Sequence, residues 1–75
     1  MMNQEKMNEL GERLIGKKIS QNSVNQVLAE MGFTKLPKIT VSNRVHTAPS
    51  GDWTELVYNG MSVRLSVSSE NIITA

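Results

Sequence analysis

The residues of this chain that could do chemistry are few, and their spacing argues against most reactions. His46 is the only histidine, and it stands beside Thr47 without a local acid or a cysteine. Metal sites and catalytic triads need several such groups converging, so His46 reads as an exposed loop residue. Asp52 and Glu55 are isolated carboxylates. Hydrolytic acid–base chemistry needs two carboxyls in different environments, and an exposed loop and strand bury neither. Gly11 and Gly16 lack both the spacing and the preceding strand of a phosphate-binding loop, and no serine sits in a nucleophile elbow. Zero cysteines remove thiol catalysis, cysteine-ligated zinc and a disulfide scaffold together. The expectation is a protein that is not an enzyme and uses no cofactor or metal.

Binding is the chemistry that remains, and Trp53 is its strongest candidate. Tryptophan carries a disproportionate share of the energy at protein contacts. Its orientation follows from the most legible element in the chain, a β-hairpin turning at Asn59-Gly60. A two-residue turn there sets Tyr58 opposite Met61, Leu56 opposite Val63 and Thr54 opposite Leu65, a mostly apolar side suited to covering helices. The other side pairs Glu55 with Arg64, Val57 with Ser62 and Trp53 with Ser66. Slipping by one residue would put Arg64 among apolar groups, so turn chemistry, alternation and charge select one register. Trp53 then lies on the polar side, unless the sheet is covered on both sides or the strand begins after it. Core and surface both remain open for it. As a surface, the candidate protein-binding set is Arg44, His46, Trp53, Glu55 and Arg64.

The elements that would hold this hairpin are two helices and a short strand. Met7, Leu10 and Leu14 recur at helical spacing, with Glu9 and Arg13 four apart, predicting a helix over about 3–15 that stops at Gly16. Ser20 stands where an N-cap belongs, ahead of Val24, Val27, Leu28 and Met31, predicting a second helix over 21–31 that stops at Gly32. The opposite face of that helix, with Asn22, Asn25, Gln26 and Ala29, is polar but nearly uncharged. Phe33 reads as core. Pro37 ends the helical pattern, and Ile39-Thr40-Val41 predicts a strand over about 39–42. Residues 42–52, with Pro49 and Gly51, read as a long loop of the kind that carries function. Strands over 53–58 and 61–67 form the hairpin, and 72–74 is a further candidate strand. The fold class is α+β: two N-terminal helices packed on a small antiparallel sheet dominated by a C-terminal β-hairpin.

Seventy-five residues suffice for a single small domain spanning 1–75, with 39% hydrophobic and 20% charged residues. No apolar run approaches the roughly 20 residues of a membrane span, and no signal-peptide pattern opens the chain. A cytoplasmic protein without membrane association is expected. The net charge of +1 conceals an uneven distribution. Residues 1–12 carry Lys6 against Glu5, Glu9 and Glu12. Residues 13–44 carry Arg13, Lys17, Lys18, Lys35, Lys38 and Arg44 against Glu30 alone. From Val45 onward Arg64 faces Asp52, Glu55 and Glu70, so the middle of the chain is basic between acidic flanks.

The segment ELGERLIGKKISQNSVNQVLAEMGF, residues 9–33, resembles the helix-turn-helix segment of phage antirepressor proteins, through Ile15-Gly16-Lys17 and through Val24, Asn25, Leu28, Glu30 and Gly32. The resemblance covers about a third of the chain and departs downstream, where a longer loop and the hairpin replace the family's short Trp-containing segment. It implies a phage or mobile-element regulator. A second resemblance, in the order of helix, strand, extended loop and Val63-Arg64-Leu65-Ser66-Val67, is to potato inhibitor I-type protease inhibitors, and it implies an exposed binding loop within 42–52. Two functions follow as expectations. One is stoichiometric binding to a protein partner by a small regulator or inhibitor. The alternative is a winged helix-turn-helix in which Asn22, Asn25 and Gln26 read base edges while Lys17, Lys18, Lys35 and Lys38 hold phosphates, with homodimerisation extending the site.

Overall fold

The computed structural model describes residues 2–42 and 45–75. It has the expected α+β class, with two helices and a four-stranded antiparallel sheet. Helix α1 spans Gln4–Arg13 and α2 spans Gln21–Glu30. Both are slightly shorter than the apolar spacing predicts, because the flanking residues serve as caps. The Asn3 side chain accepts a hydrogen bond from the Lys6 amide at 2.8 Å, and Ser20 Oγ accepts one from the Ser23 amide at 3.2 Å. Leu14 and Met31 close the two C-terminal ends. The Arg13–Glu9 pair forms at 2.9 Å, with both side chains about half exposed, so its contribution is small.

The strands are β1 (Thr40–Val41), β2 (His46–Ala48), β3 (Gly51–Tyr58) and β4 (Met61–Val67). Strand β3 is the centre of the sheet: β4 pairs along one side, while β1 and β2 pair with opposite ends of its other side. The β3–β4 register is the one the turn dictates, from Tyr58↔Met61 through Glu55↔Arg64 to Asp52↔Val67. Asn59 and Gly60 take φ values of 50° and 83°. Two successive positive φ angles are what a tight hairpin between right-twisted strands requires, and Asn-Gly is the pair that tolerates them best.

Two expectations need correcting. Residues 42–52 do not form one long loop, since His46–Ala48 is a strand paired with Gly51–Trp53 through a turn at Pro49 and Ser50. Strand β3 accordingly starts at Gly51 rather than at Trp53. The expected strand over 39–42 shrinks to Thr40–Val41, although the Ser42 amide still donates to the Glu55 carbonyl at 3.1 Å. The candidate strand over 72–74 is reduced to isolated bridges, Lys18↔Ile72 and Val67↔Ile73. These bridges nevertheless matter, because they join β4 to the linker between the helices. Ile73 accepts from the Gly16 amide at 2.7 Å and donates to the Lys17 carbonyl at 2.9 Å, while Thr74 donates to the Ser66 carbonyl at 2.8 Å.

One face of the sheet is covered. Leu56 and Leu65 from β3 and β4 are buried in one cluster with Met7 and Leu10 of α1, its C-cap Leu14, and Val24, Val27 and Leu28 of α2, and Thr54 is buried on the same side of the sheet. Tyr58, Met61, Val63 and Phe33 are half-buried at the margin of this core, and the Lys6 ammonium lies 6.0 Å from the centre of the Phe33 ring. Removing these side chains from water is the main force holding the layers together, at about 1.5–3 kcal/mol for each large residue fully buried. Among the described residues no helix is long and apolar enough to cross a membrane.

Candidate functional site

Among the described residues no helix lies on the second face of the sheet, and the alternation of the strands decides what it displays. Successive side chains point to opposite faces, so if Thr54, Leu56 and Leu65 are inside, then Trp53, Glu55 and Val57 of β3 and Ser62, Arg64 and Ser66 of β4 are outside. Val57 is 38% exposed, Arg64 is exposed, and Trp53 and Glu55 are half-buried. Trp53 is thus neither a core residue nor a fully solvated one.

What partly covers it is supplied by the strands on either side. His46, its direct partner on β2, stacks on the indole with ring centroids 4.1 Å apart and planes 13° from parallel. From β4, the Arg64 guanidinium carbon lies 4.1 Å from the centroid of the Trp53 ring. The indole is thereby held between an imidazole and a cation reaching it from opposite flanking strands. A cation over a tryptophan face contributes about 0.5–1 kcal/mol at an exposed site, enough to favour this placement of the guanidinium.

The sequence predicted that Glu55 and Arg64 would face each other, and in register they do. Their charged groups are not paired, however: the one ion pair within 4 Å among the described residues is Arg13–Glu9. Arg64 has gone to the indole instead. The result is a cation lying on the indole, beside a carboxylate, neither of them in an ion pair among the described residues. Of the five residues predicted for protein binding, the structure brings His46, Trp53, Glu55 and Arg64 onto one face, while Arg44 lies outside the described residues. The contact between His46 and Trp53 was missed because β2 was read as loop. Its signal was present in Pro49 and Gly51, which separate His46–Ala48 from Trp53 by a turn's length.

The residues proposed for nucleic acid are more dispersed. Asn22 and Gln26 are exposed on α2, Asn25 is half-buried and accepts from the Gln21 amide at 3.1 Å, and Lys35 and Lys38 are exposed on the segment after α2. An open groove of about 430 Å³ brings Asn25 and Lys38 together with Gln21, Pro37 and Thr40. Lys17 and Lys18 lie in the linker pinned by Ile72 and Ile73, and they do not line that groove. The linker from Leu14 to Ser20 is seven residues long, against the three or four of an ordinary helix-turn-helix.

No group of three or more histidine, aspartate or glutamate side chains capable of holding a metal occurs among the described residues. No known family model, curated protein or solved structure matches the chain.

Proposed function

We propose that this chain is a small non-enzymatic regulator or inhibitor, acting in the cytoplasm by stoichiometric binding to a protein through the uncovered face of its sheet. The observation that carries this reading is the stack of His46, Trp53 and Arg64. A large aromatic and an arginine already in contact have less side-chain freedom to lose on binding, and such residues are the usual centres of protein interfaces. The stack also argues against the other use of an exposed aromatic on a sheet, the stacking of nucleic-acid bases. Base stacking needs an open ring face. Here one flanking strand supplies an imidazole and the other a guanidinium, leaving mainly the indole edge for a partner.

The alternative, a DNA-binding regulator using α2, is favoured by the groove that joins Asn25 to Lys38. The seven-residue linker weighs against it. Fluorescence anisotropy with mixed-sequence duplex DNA separates the two. The protein-binding reading expects no salt-dependent association at micromolar protein, whereas even a non-specific DNA binder gives one. Association weakened by Asn25→Ala and by Lys38→Ala, but not by Trp53→Ala, would replace the leading reading with the alternative.

A further inference from the structure

The segment that links α2 to β1 runs from Phe33 to Ile39 and is anchored at both ends. The Phe33 amide donates to the Leu28 carbonyl at 3.2 Å and its ring packs against the core, while Ile39 is 2% exposed. Between these anchors Leu36 is left 41% exposed, and it belongs neither to the core nor to the residues packed on it. A single exposed leucine is ordinary. This one has apolar company, for it lines an open groove of about 500 Å³ with the half-buried Phe33, Pro37 and Tyr58. A groove of that volume takes a large side chain and its neighbours.

The charges around the groove have one sign. Lys35 and Lys38 line it and are both exposed, and no aspartate or glutamate is among its described residues. A third cation is close by, the Lys6 ammonium 6.0 Å from the centre of the Phe33 ring. The one ion pair among the described residues is Arg13–Glu9, so no carboxylate neutralises Lys6, Lys35 or Lys38.

We propose that this groove docks an acidic segment of another protein. One large apolar side chain of that segment enters between Phe33, Leu36 and Tyr58, and carboxylates on either side of it meet Lys35 and Lys38. Apolar walls and a cationic rim select this occupant together. Duplex DNA would satisfy the lysines through its phosphates and leave Phe33 and Leu36 in water. The apolar anchor supplies most of the affinity, and the lysines supply orientation and a dependence on salt. The proposal does not rest on the reading of the outward sheet face as a binding surface. Strand alternation turns Trp53 outward and Tyr58 to the helix side, so the two surfaces are separate.

The test is a peptide titration followed in amide proton–nitrogen NMR spectra of the full chain. The probe is a short synthetic peptide with one phenylalanine between aspartates. Its controls carry alanine in place of the phenylalanine, or lysines in place of the aspartates. The probe shifts the amides of Leu36, Lys38 and Tyr58, leaves the Trp53 indole unmoved, and binds more weakly as salt rises. Each control binds at least about tenfold more weakly. Leu36→Ser weakens the probe by about tenfold and Lys38→Glu by about fivefold. Both positions are exposed, so the spectra of these variants stay native elsewhere. Trp53→Ala leaves probe binding intact, which keeps a failure here distinct from a failure of the sheet-face reading. A probe that shifts nothing at millimolar concentration, binds the Leu36→Ser chain as well as the native one, or moves the Trp53 indole instead overturns the proposal. Mixed-sequence duplex DNA that binds at the same residues more tightly than the probe, indifferent to Leu36→Ser, overturns it in favour of nucleic acid. Shifts at these residues that grow with protein concentration alone overturn it in favour of a second copy.

Discussion

At Gly11 helix α1 lies directly against β4, and replacing it tests the packing of the helix layer on the sheet. A Cβ built on Gly11 would sit 3.1 Å from Leu65 Cδ2 and 3.4 Å from Val63 Cγ2. Two effects oppose each other in Gly11→Ala. Glycine inside a helix costs about 0.8–1.0 kcal/mol relative to alanine, so the substitution gains that much. Against it stands the crowding of Leu65, a side chain that is itself 2% exposed and can move only by displacing its neighbours. Overpacking by one methyl falls at the low end of the usual 1–3 kcal/mol. The two nearly cancel, and the expected melting temperature lies within about 5 °C of native. Gly11→Val differs, because the propensity gain shrinks to about 0.4 kcal/mol while crowding rises to about 2–3 kcal/mol. A net loss of about 2 kcal/mol lowers the melting temperature of a domain this size by about 8–16 °C. For a chain whose total stability should be about 4–11 kcal/mol, that is a large fraction. Thermal melts followed by circular dichroism read both variants. A valine variant as stable as native would mean that α1 does not lie against Val63 and Leu65, and an alanine variant that also lost more than about 10 °C would mean that propensity had been overvalued.

Two further substitutions probe the hairpin and the stack. Gly60→Ala forces a side chain into the φ of 83° that the turn requires, costs about 1–2 kcal/mol, and lowers the melting temperature by about 4–16 °C. An unchanged melting temperature would contradict the turn geometry. Arg64→Ala uncovers one side of Trp53. Its emission should shift to the red and acrylamide should quench it more readily, while stability changes by no more than about 1 kcal/mol. Emission and quenching identical to native would place Arg64 away from the ring.

The hairpin was legible in the sequence because three independent constraints agreed on its register: the Asn-Gly turn, the apolar alternation and the opposition of Glu55 to Arg64. The helices were legible from apolar spacing and from Ser20, and their ends shifted only where Asn3, Leu14 and Met31 act as caps. Strand β2 was hidden because His46, Thr47 and Ala48 form an edge strand with no large apolar residue to mark a buried side, and Pro49 next to them reads as loop. Losing β2 concealed the His46–Trp53 stack, because the turn residues Pro49 and Gly51 were taken as part of a loop rather than as the link between two paired strands. The outcome at Arg64 was hidden for a different reason. Charge opposition predicts a direction of attraction, but at a solvated surface an ion pair is worth little, and an indole face competes with it on equal terms. The bridging of residues 71–75 to the interhelical linker is a long-range pairing of short backbone segments, and short segments carry little periodicity.

On the proposed function, this protein meets others through the outward face of its sheet rather than through the outer face of α2. Photo-crosslinking tests it most directly, with a benzophenone side chain introduced at Val57 on the sheet in one variant and at Asn22 on α2 in another. Both positions are exposed, so both variants should fold and both probes can reach a partner. Protein binding through the sheet gives adducts from position 57, with Trp53→Ala in the same chain abolishing them. Adducts from position 22 alone, unaffected by Trp53→Ala, would contradict it.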